Sequence, residues 1–250
     1  MILIHEFKVV MVEVEALRLY WTIEPTAEDI SEYDFSVLRS GAESGPWQVI
    51  ASSCDQFFYI DRDANNYSSD RIYWYSIRIT HKPTNKYKDF GPQYNSFDTD
   101  PVGLELIRKK NVYLRTQTGL PVFLFKKKTF GQYCPNCWDK IKQRVSKTNC
   151  EVCFGTGYAG GYWKPIELFV NRAVPDNVTK TIGFNKTGGA SVVEASSHPI
   201  ISPGDFILYP QVGTRHRVVS ITAHTRMGDV ISQYVNLTEI NKSDIEYRVA

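Results

Sequence analysis

The chain has 250 residues, 42% hydrophobic and 22% charged. That is enough for one large or two ordinary domains with packed cores, and it excludes a disordered chain. A net charge of +2 gives little support to a general nucleic-acid binder, whose domain is normally clearly basic.

The opening MILIHEFKVVMVEVEALRLYW does not read as a secretion signal. His5, Glu6, Lys8, Glu13 and Glu15 interrupt its apolar residues, and no small-residue cleavage site follows. No uncharged apolar run of about eighteen residues occurs, so neither a transmembrane helix nor a membrane partner is expected. Val10, Val12 and Val14 alternate with polar neighbours, as do Leu17, Leu19 and Trp21, until Glu24-Pro25 stops the run. YDFSVLRS (33–40) is the next expected strand, closed by the turn-rich GAESGPW. WQVIAS and FFYIDRD follow, and RIYWYSIRIT places Tyr73, Tyr75, Ile77 and Ile79 on one face. Six or seven such strands at regular spacing predict an antiparallel β-sandwich.

The order LRLYWTIEP, YDFSVLRSGAESGPWQVI and YWYSIRIT resembles the fibronectin type III module over roughly residues 5 to 95. The resemblance implies that Trp21 is the tryptophan of the second strand. It also implies a tyrosine near the start of the penultimate strand, for which the alternation leaves Tyr73 and Tyr75 equally placed.

Residues 81–100 carry two prolines and no periodicity, and read as a boundary. Asp100-Pro101 then looks like a helix start, with Asp100 as N-cap and proline in the first turn. Val102, Leu106, Lys109/Lys110 and Tyr113 sketch a loosely amphipathic helix ending near Gly119. LPVFLFKKKTF (120–130) is an expected strand whose triplet Lys126-Lys127-Lys128 reads as a solvated strand end. Further on, IELFVNRAV, KTIGF, GDFILYP, RHRVVSITAHTR and VISQYVNLTEI are β-rich segments divided by Pro, Gly, Asn and Asp. The expected fold class is therefore mainly β. A fibronectin type III-like sandwich fills 1–97, a linker and helix 98–119, and a small barrel 120–250, with a cysteine module at 130–163.

Four of the five cysteines form two CxxC pairs separated by twelve residues: Cys134, Cys137, Cys150 and Cys153. Each CxxC turn can offer two thiolates from one tight loop, and two such turns close a tetrahedral four-sulfur shell. The spacing favours zinc over an iron–sulfur centre or paired disulfides. Cys54 stands alone, and an odd cysteine beside two such pairs reads as a reducing compartment. Lys140, Lys142, Arg144 and Lys147 lie between the pairs, where their charge would offset an anionic centre. Gly155, Gly157, Gly160 and Gly161 let the chain fold back over the second turn. A catalytic zinc keeps one position open; four cysteines leave none, so the expected role is structural.

The piece CEVCFGTG has the form found in the zinc region of J-protein chaperones, but CPNCWD lacks the trailing glycines and no HPD signature occurs. His5, His81, His198, His216 and His224 fall in no catalytic motif, and no phosphate-binding loop is present. His216 and His224, with Arg215, Arg217 and Arg226 nearby, read as a polar sheet face. Asp205 reads as part of a turn opening a strand. No enzyme is expected. Trp138, Phe154, Tyr158, Tyr162 and Trp163 read as packing around the module rather than as a base-stacking surface.

The cysteine module followed by PIELFV, then Pro203-Gly204-Asp205, Arg215 to Ile221 and Asp244 to Tyr247, resembles the head-completion or stopper-like neck proteins of tailed bacteriophages, over roughly 105–250. The resemblance implies a virion protein assembled in the host cytoplasm into a ring at the head–tail junction. Its partners would be copies of itself, a portal or adaptor above and tail proteins below. It also implies non-specific contact with packaged DNA, for which Lys126, Lys127 and Arg217 are the expected residues. The alternative is a phage or host regulator whose zinc ribbon binds nucleic acid.

Overall fold

The computed structural model describes residues 1–13, 16–54, 57–64, 72–94, 100–173, 191–227 and 229–249. The expected strand KTIGF lies outside them. The chain divides into two compact units. The first joins Met1–Thr99 to Thr129–Arg144 and Gly157–Ala159; the second joins Asp100–Lys128 to Val145–Thr156 and Gly160–Ala250.

In the first unit, β1 (Ile4–Glu13), β2 (Ala16–Ile23) and β5 (Phe58–Asp61) form one sheet in the order β1-β2-β5. The other sheet comprises β3 (Tyr33–Ser40), β4 (Gln48–Ala51), β6 (Trp74–His81) and β7 (Lys86–Tyr94), in the order β4-β3-β6-β7. Seven antiparallel strands in sheets of three and four make the expected sandwich. The inward phase of β2 is Leu17, Leu19, Trp21 and Ile23, all within 1% of full burial. Trp21 packs across to Phe35 of β3 at 6.4 Å between ring centroids, with Phe57 beside both.

The two tyrosines differ in burial. Tyr75 is wholly buried at the start of β6, and its hydroxyl donates to Asp61 Oδ2 at 2.9 Å. Tyr73 precedes the strand and is half-buried. Asp61 also accepts from Arg39 Nη1 at 3.0 and 2.8 Å and from the Asp63 N–H at 3.1 Å, so this buried carboxylate is fully paired. Burial, with the Asp61 carboxylate beside it, pushes the Tyr75 phenol far above its usual range.

Residues 86–94 correct the expected boundary. They form β7, an edge strand whose side chains are nearly all exposed, so no apolar alternation marks it. Its Pro92 sits where the register with β6 shifts between Tyr75 and Ile77, and an edge bulge tolerates a missing N–H. Gly91 there has φ +125°, and a Cβ would meet the Tyr75 carbonyl oxygen at 2.9 Å.

The second unit begins with α1 (Pro101–Tyr113), continued by a wider π-type turn over Leu114–Thr118. Asp100 caps it by accepting from the Val102 N–H at 3.1 Å. The buried face is Leu104, Ile107 and Leu114, not the expected stripe: Val102, Leu106 and Tyr113 are exposed. α1 lies against β12 (Ser191–Ser196) and β15 (Asp229–Glu239). Lys110 pairs with Glu194 of β12, and Asp100 at the helix start pairs with Arg226. With β8 (Leu120–Phe125), β11 (Ile166–Ala173), β13 (Phe206–Tyr209) and β14 (Thr214–Arg226), these strands close a barrel in the order β11-β12-β15-β14-β13-β8. Val122, Leu124, Leu168, Val170, Ile207, Val235 and Leu237 fill its interior. Strand β12 was not expected: SVVEAS is short, and Glu194 breaks its apolar run. No helix among the described residues is long and apolar enough to cross a membrane.

Candidate metal centre

The cysteine module starts where β8 ends. In the first unit, Thr26 bridges Gln132, donating to the Gly131 carbonyl and accepting from the Tyr133 N–H, both at 3.2 Å. Phe130 meets Phe57 edge-on at 5.3 Å. The chain thus reaches Cys134 held by sheet-like hydrogen bonds rather than as a loose loop.

Both CxxC turns close with the same backbone bond. The Cys134 carbonyl accepts from the Trp138 N–H at 3.2 Å, and the Cys150 carbonyl accepts from the Phe154 N–H at 2.7 Å. A turn of this kind points its two cysteine side chains to one side. The four sulfurs of Cys134, Cys137, Cys150 and Cys153 lie within 4.8 Å of one another, and all four residues are buried. None of the five cysteines is in a disulfide. A tetrahedral metal with metal–sulfur bonds of about 2.3 Å needs sulfurs about 3.8 Å apart, so the cluster fits such an ion after small rotamer changes. Among the described residues it is the one group of three or more His, Cys, Asp or Glu arranged to hold a metal.

The trailing glycines act as expected. Gly155, Gly157, Gly160 and Gly161 take φ between +65° and +87°. At Gly161 a Cβ would lie 2.7 Å from the Cys153 carbonyl oxygen, so the returning chain passes directly over the second turn. Between the pairs, β9 (Trp138–Asp139) and β10 (Arg144–Val145) form a two-rung hairpin. Its turn is pinned by Asp139 Oδ1, which accepts from the Ile141 and Lys142 N–H groups at 2.9 and 3.0 Å. Lys140, Lys142, Arg144 and Lys147 are all exposed.

The aromatic residues of the module are packed. Tyr133 stacks on Trp138 at 4.2 Å and on Tyr158 at 5.6 Å. Tyr162 packs edge-on against Phe206, and Phe154 joins the same apolar cluster. Burial raises the Tyr162 phenol to about 12.

The lysine triplet is not a solvated strand end. Lys126 Nζ lies 2.9 Å from Asp205 Oδ2 and donates to the Ile200 carbonyl at 2.6 Å. The Lys127 N–H donates to Asp205 Oδ1 at 2.8 Å. Lys128 sits over the Trp163 ring at 4.7 Å, and burial lowers its pKa. Asp205 follows the Pro203-Gly204 turn as expected, but it does more than turn the chain. Only 1% exposed, it also accepts from the Ser202 N–H at 2.8 Å and so joins the end of β8 to the start of β13. A carboxylate directly before an apolar strand was the sequence signal for this anchor, as Asp61 at the end of FYID was for the sandwich.

His216 is half-buried on β14, edge-on to Tyr209 at 5.1 Å, with its pKa lowered by burial. His224 contacts the Tyr234 ring at 6.2 Å, and among the described residues neither histidine joins a metal-binding group. A cleft of about 710 Å³ in the second unit is lined by Lys127, Phe154, Tyr162, Arg217, Glu246 and Arg248 among others. Two ion pairs lie within its walls: Arg217 Nη2 lies 2.6 Å from Glu246 Oε1, and Arg248 pairs with Glu151.

No protein-family profile matches the sequence, and no curated protein matches it. The solved structure of titin kinase and its flanking domains aligns with 95% of this chain and 37% of its own, at 10% identity and a TM-score of 0.27. A likeness that slight carries no argument, so the mainly β architecture rests on the strand pairing described above.

Proposed function

We propose that the chain is a structural protein of a tailed-bacteriophage neck. It forms a ring that joins the portal or adaptor of the capsid to the tail and helps to seal or line the DNA channel. The four cysteines hold one structural zinc ion. The observation that carries this reading is the convergence of the pieces on which the neck resemblance rests. The Pro203-Gly204-Asp205 turn, the strand Arg215 to Ile221 and the segment Asp244 to Tyr247 are separate in sequence but meet at one end of the barrel. The Gly204 N–H donates to the Val218 carbonyl at 3.1 Å, and the Val218 N–H to the Asp205 carbonyl at 2.8 Å. Arg215 Nη1 donates to the Glu246 carbonyl at 2.5 Å, with its guanidinium 5.3 Å from the Tyr247 ring.

Zinc suits an all-thiolate shell better than the hard, oxygen-seeking cations do. Bound there, it would supply folding free energy; comparable small zinc modules gain about 10–16 kcal/mol from the ion. The chain's part is to hold the two turns against their backbone hydrogen bonds and to keep water from the buried sulfurs. With four protein ligands no coordination position is left for a substrate, which supports a structural role. Ring subunits meet head to tail through heterologous faces, which a closed barrel can supply. In this reading the sandwich is a decoration or an additional ring contact.

The test is averaged electron cryomicroscopy of the purified phage particles. Density for a ring of copies below the portal, with a compact peak among Cys134, Cys137, Cys150 and Cys153, is the expected result. Absence of the chain from intact particles overturns the reading. A second reading, a regulator that binds nucleic acid through the zinc module, would then lead. One observation favours it, the exposed cations of the β9–β10 hairpin.

A further inference from the structure

Some of the described cations of this chain are committed to carboxylates. Arg39, Arg78, Arg108, Lys109, Lys110, Lys126, Arg217, Arg226 and Arg248 each lie within ion-pair distance of a carboxylate. Two of the three residues expected to meet DNA, Lys126 and Arg217, are therefore already engaged. The segment between the two cysteine turns is different. From Trp138 to Lys147 it holds Lys140, Lys142, Arg144 and Lys147 against a single acid, Asp139. Among the described residues none of the four cations is in an ion pair. The Asp139 carboxylate is turned inward onto the Ile141 and Lys142 N–H groups, where it pins the bend. At the tip Ile141 is 94% exposed, between two lysines.

Lys86 and Lys88 of β7 are exposed as well, but this hairpin gathers the four exposed cations Lys140, Lys142, Arg144 and Lys147 within one short segment. The hairpin is stiffened at its base by the Tyr133–Trp138 stack and the first cysteine turn. Such a finger suits a regular polyanion. Its side chains can replace condensed counterions, and little ordering is needed because the turn is already fixed. We propose that the β9–β10 hairpin is a sequence-independent contact for the phosphate backbone of duplex DNA, through Lys140, Lys142 and Arg144, with Lys147 beside them. This deepens the neck reading by naming the DNA-facing element, but it can fail or stand without it. Location in the particle tests the one, and binding in solution the other.

The experiment uses the full chain with its metal bound and a fluorescent random-sequence DNA duplex, titrated between 50 and 200 mM salt (about the range over which the electrostatic term is steep). The wild type is expected to bind with an affinity that falls as salt rises. K140Q/K142Q/R144Q should flatten the slope of log K against log salt by about 2.7, or about 0.9 per contact removed. At about 100 mM salt that corresponds to a loss of roughly 10²-fold or more in affinity. The pair K86Q/K88Q on β7 should change neither. Metal content and circular dichroism check the fold, and the single substitutions, each flattening the slope by about 0.9, decide the matter if the triple variant loses its metal. No binding at 50 mM salt by wild type, or an unchanged slope in the variants, overturns the proposal. So does tighter binding to vesicles of anionic lipid that DNA does not displace.

Discussion

Replacing Asp205 provides the sharpest test of how the barrel is closed. Asp205→Ala removes the acceptor for two backbone N–H groups, those of Lys127 and Ser202, both at 2.8 Å, and the ion-pair partner of Lys126. A buried donor left unpaired costs about 1–3 kcal/mol. The Lys126 side chain is 23% exposed and keeps the Ile200 carbonyl, so its share falls at the low end. The expected loss is about 3–5 kcal/mol, in the range for breaking a buried pair from one side. Asp205→Asn keeps one oxygen, which can still serve Ser202 and Lys126 while its amide faces the Lys127 N–H; about 2 kcal/mol should be lost. Urea unfolding of the metal-loaded protein measures the global term. Hydrogen exchange localises it, with the Lys127 and Ser202 amides speeding up by about 10²-fold or more in the alanine variant. A loss below about 1 kcal/mol, or equal losses for alanine and asparagine, would refute the assignment of Asp205 as the bond between β8 and β13.

Tyr75→Phe should cost about 1–2 kcal/mol by denaturant unfolding, because it takes a donor from buried Asp61. Metal analysis of the recombinant protein should find one zinc per chain. Cys150→Ser should lower both the zinc content and the thermal midpoint, and a chelator should unfold the 130–163 module first, seen as loss of Trp138 fluorescence structure. Tyr162 is held neutral by burial with its pKa raised to about 12, so its folded value lies above the unfolded one. Its contribution is therefore complete below the unfolded phenol pKa, about 10, and is lost as pH rises towards 12. Alkaline unfolding followed at 295 nm should consequently be shallower in Tyr162→Phe. His216 is shifted the other way, its pKa lowered by burial. Stability should decline as pH falls below the usual histidine range, and His216→Phe should reduce that decline.

Strand identity was legible wherever one face of the strand is buried. YDFSVLRS became β3 without a residue's difference, and the Leu17, Leu19, Trp21 phase became the inner face of β2, because burial on one side leaves a period of two in the letters. Two kinds of element were not legible. β7 is exposed on nearly every side chain, so its pattern carries no core signal, and β12 is short with Glu194 inside it. The helix misled in a third way. Val102, Leu106 and Tyr113 are apolar at helical spacing, yet the barrel takes the face of Leu104, Ile107 and Leu114. Both stripes satisfy a period of 3.6, and only the position of the barrel chooses between them.

The metal centre belongs largely to the sequence by itself. Four thiols in two CxxC turns, with glycines behind the second, define their own geometry, because each turn is closed by a local backbone bond. What charged residues do was decided only by tertiary structure. The letters Lys126-Lys127-Lys128 and Asp205 are 77 residues apart at their nearest, and nothing local shows that folding sets them side by side. The same holds for Asp61, Arg39 and Tyr75. A charge has no periodic signature of burial; its partner is fixed by which strand ends the sheets bring together. The cations of the β9–β10 hairpin are the converse case: among the described residues none of them lies within ion-pair distance of a carboxylate.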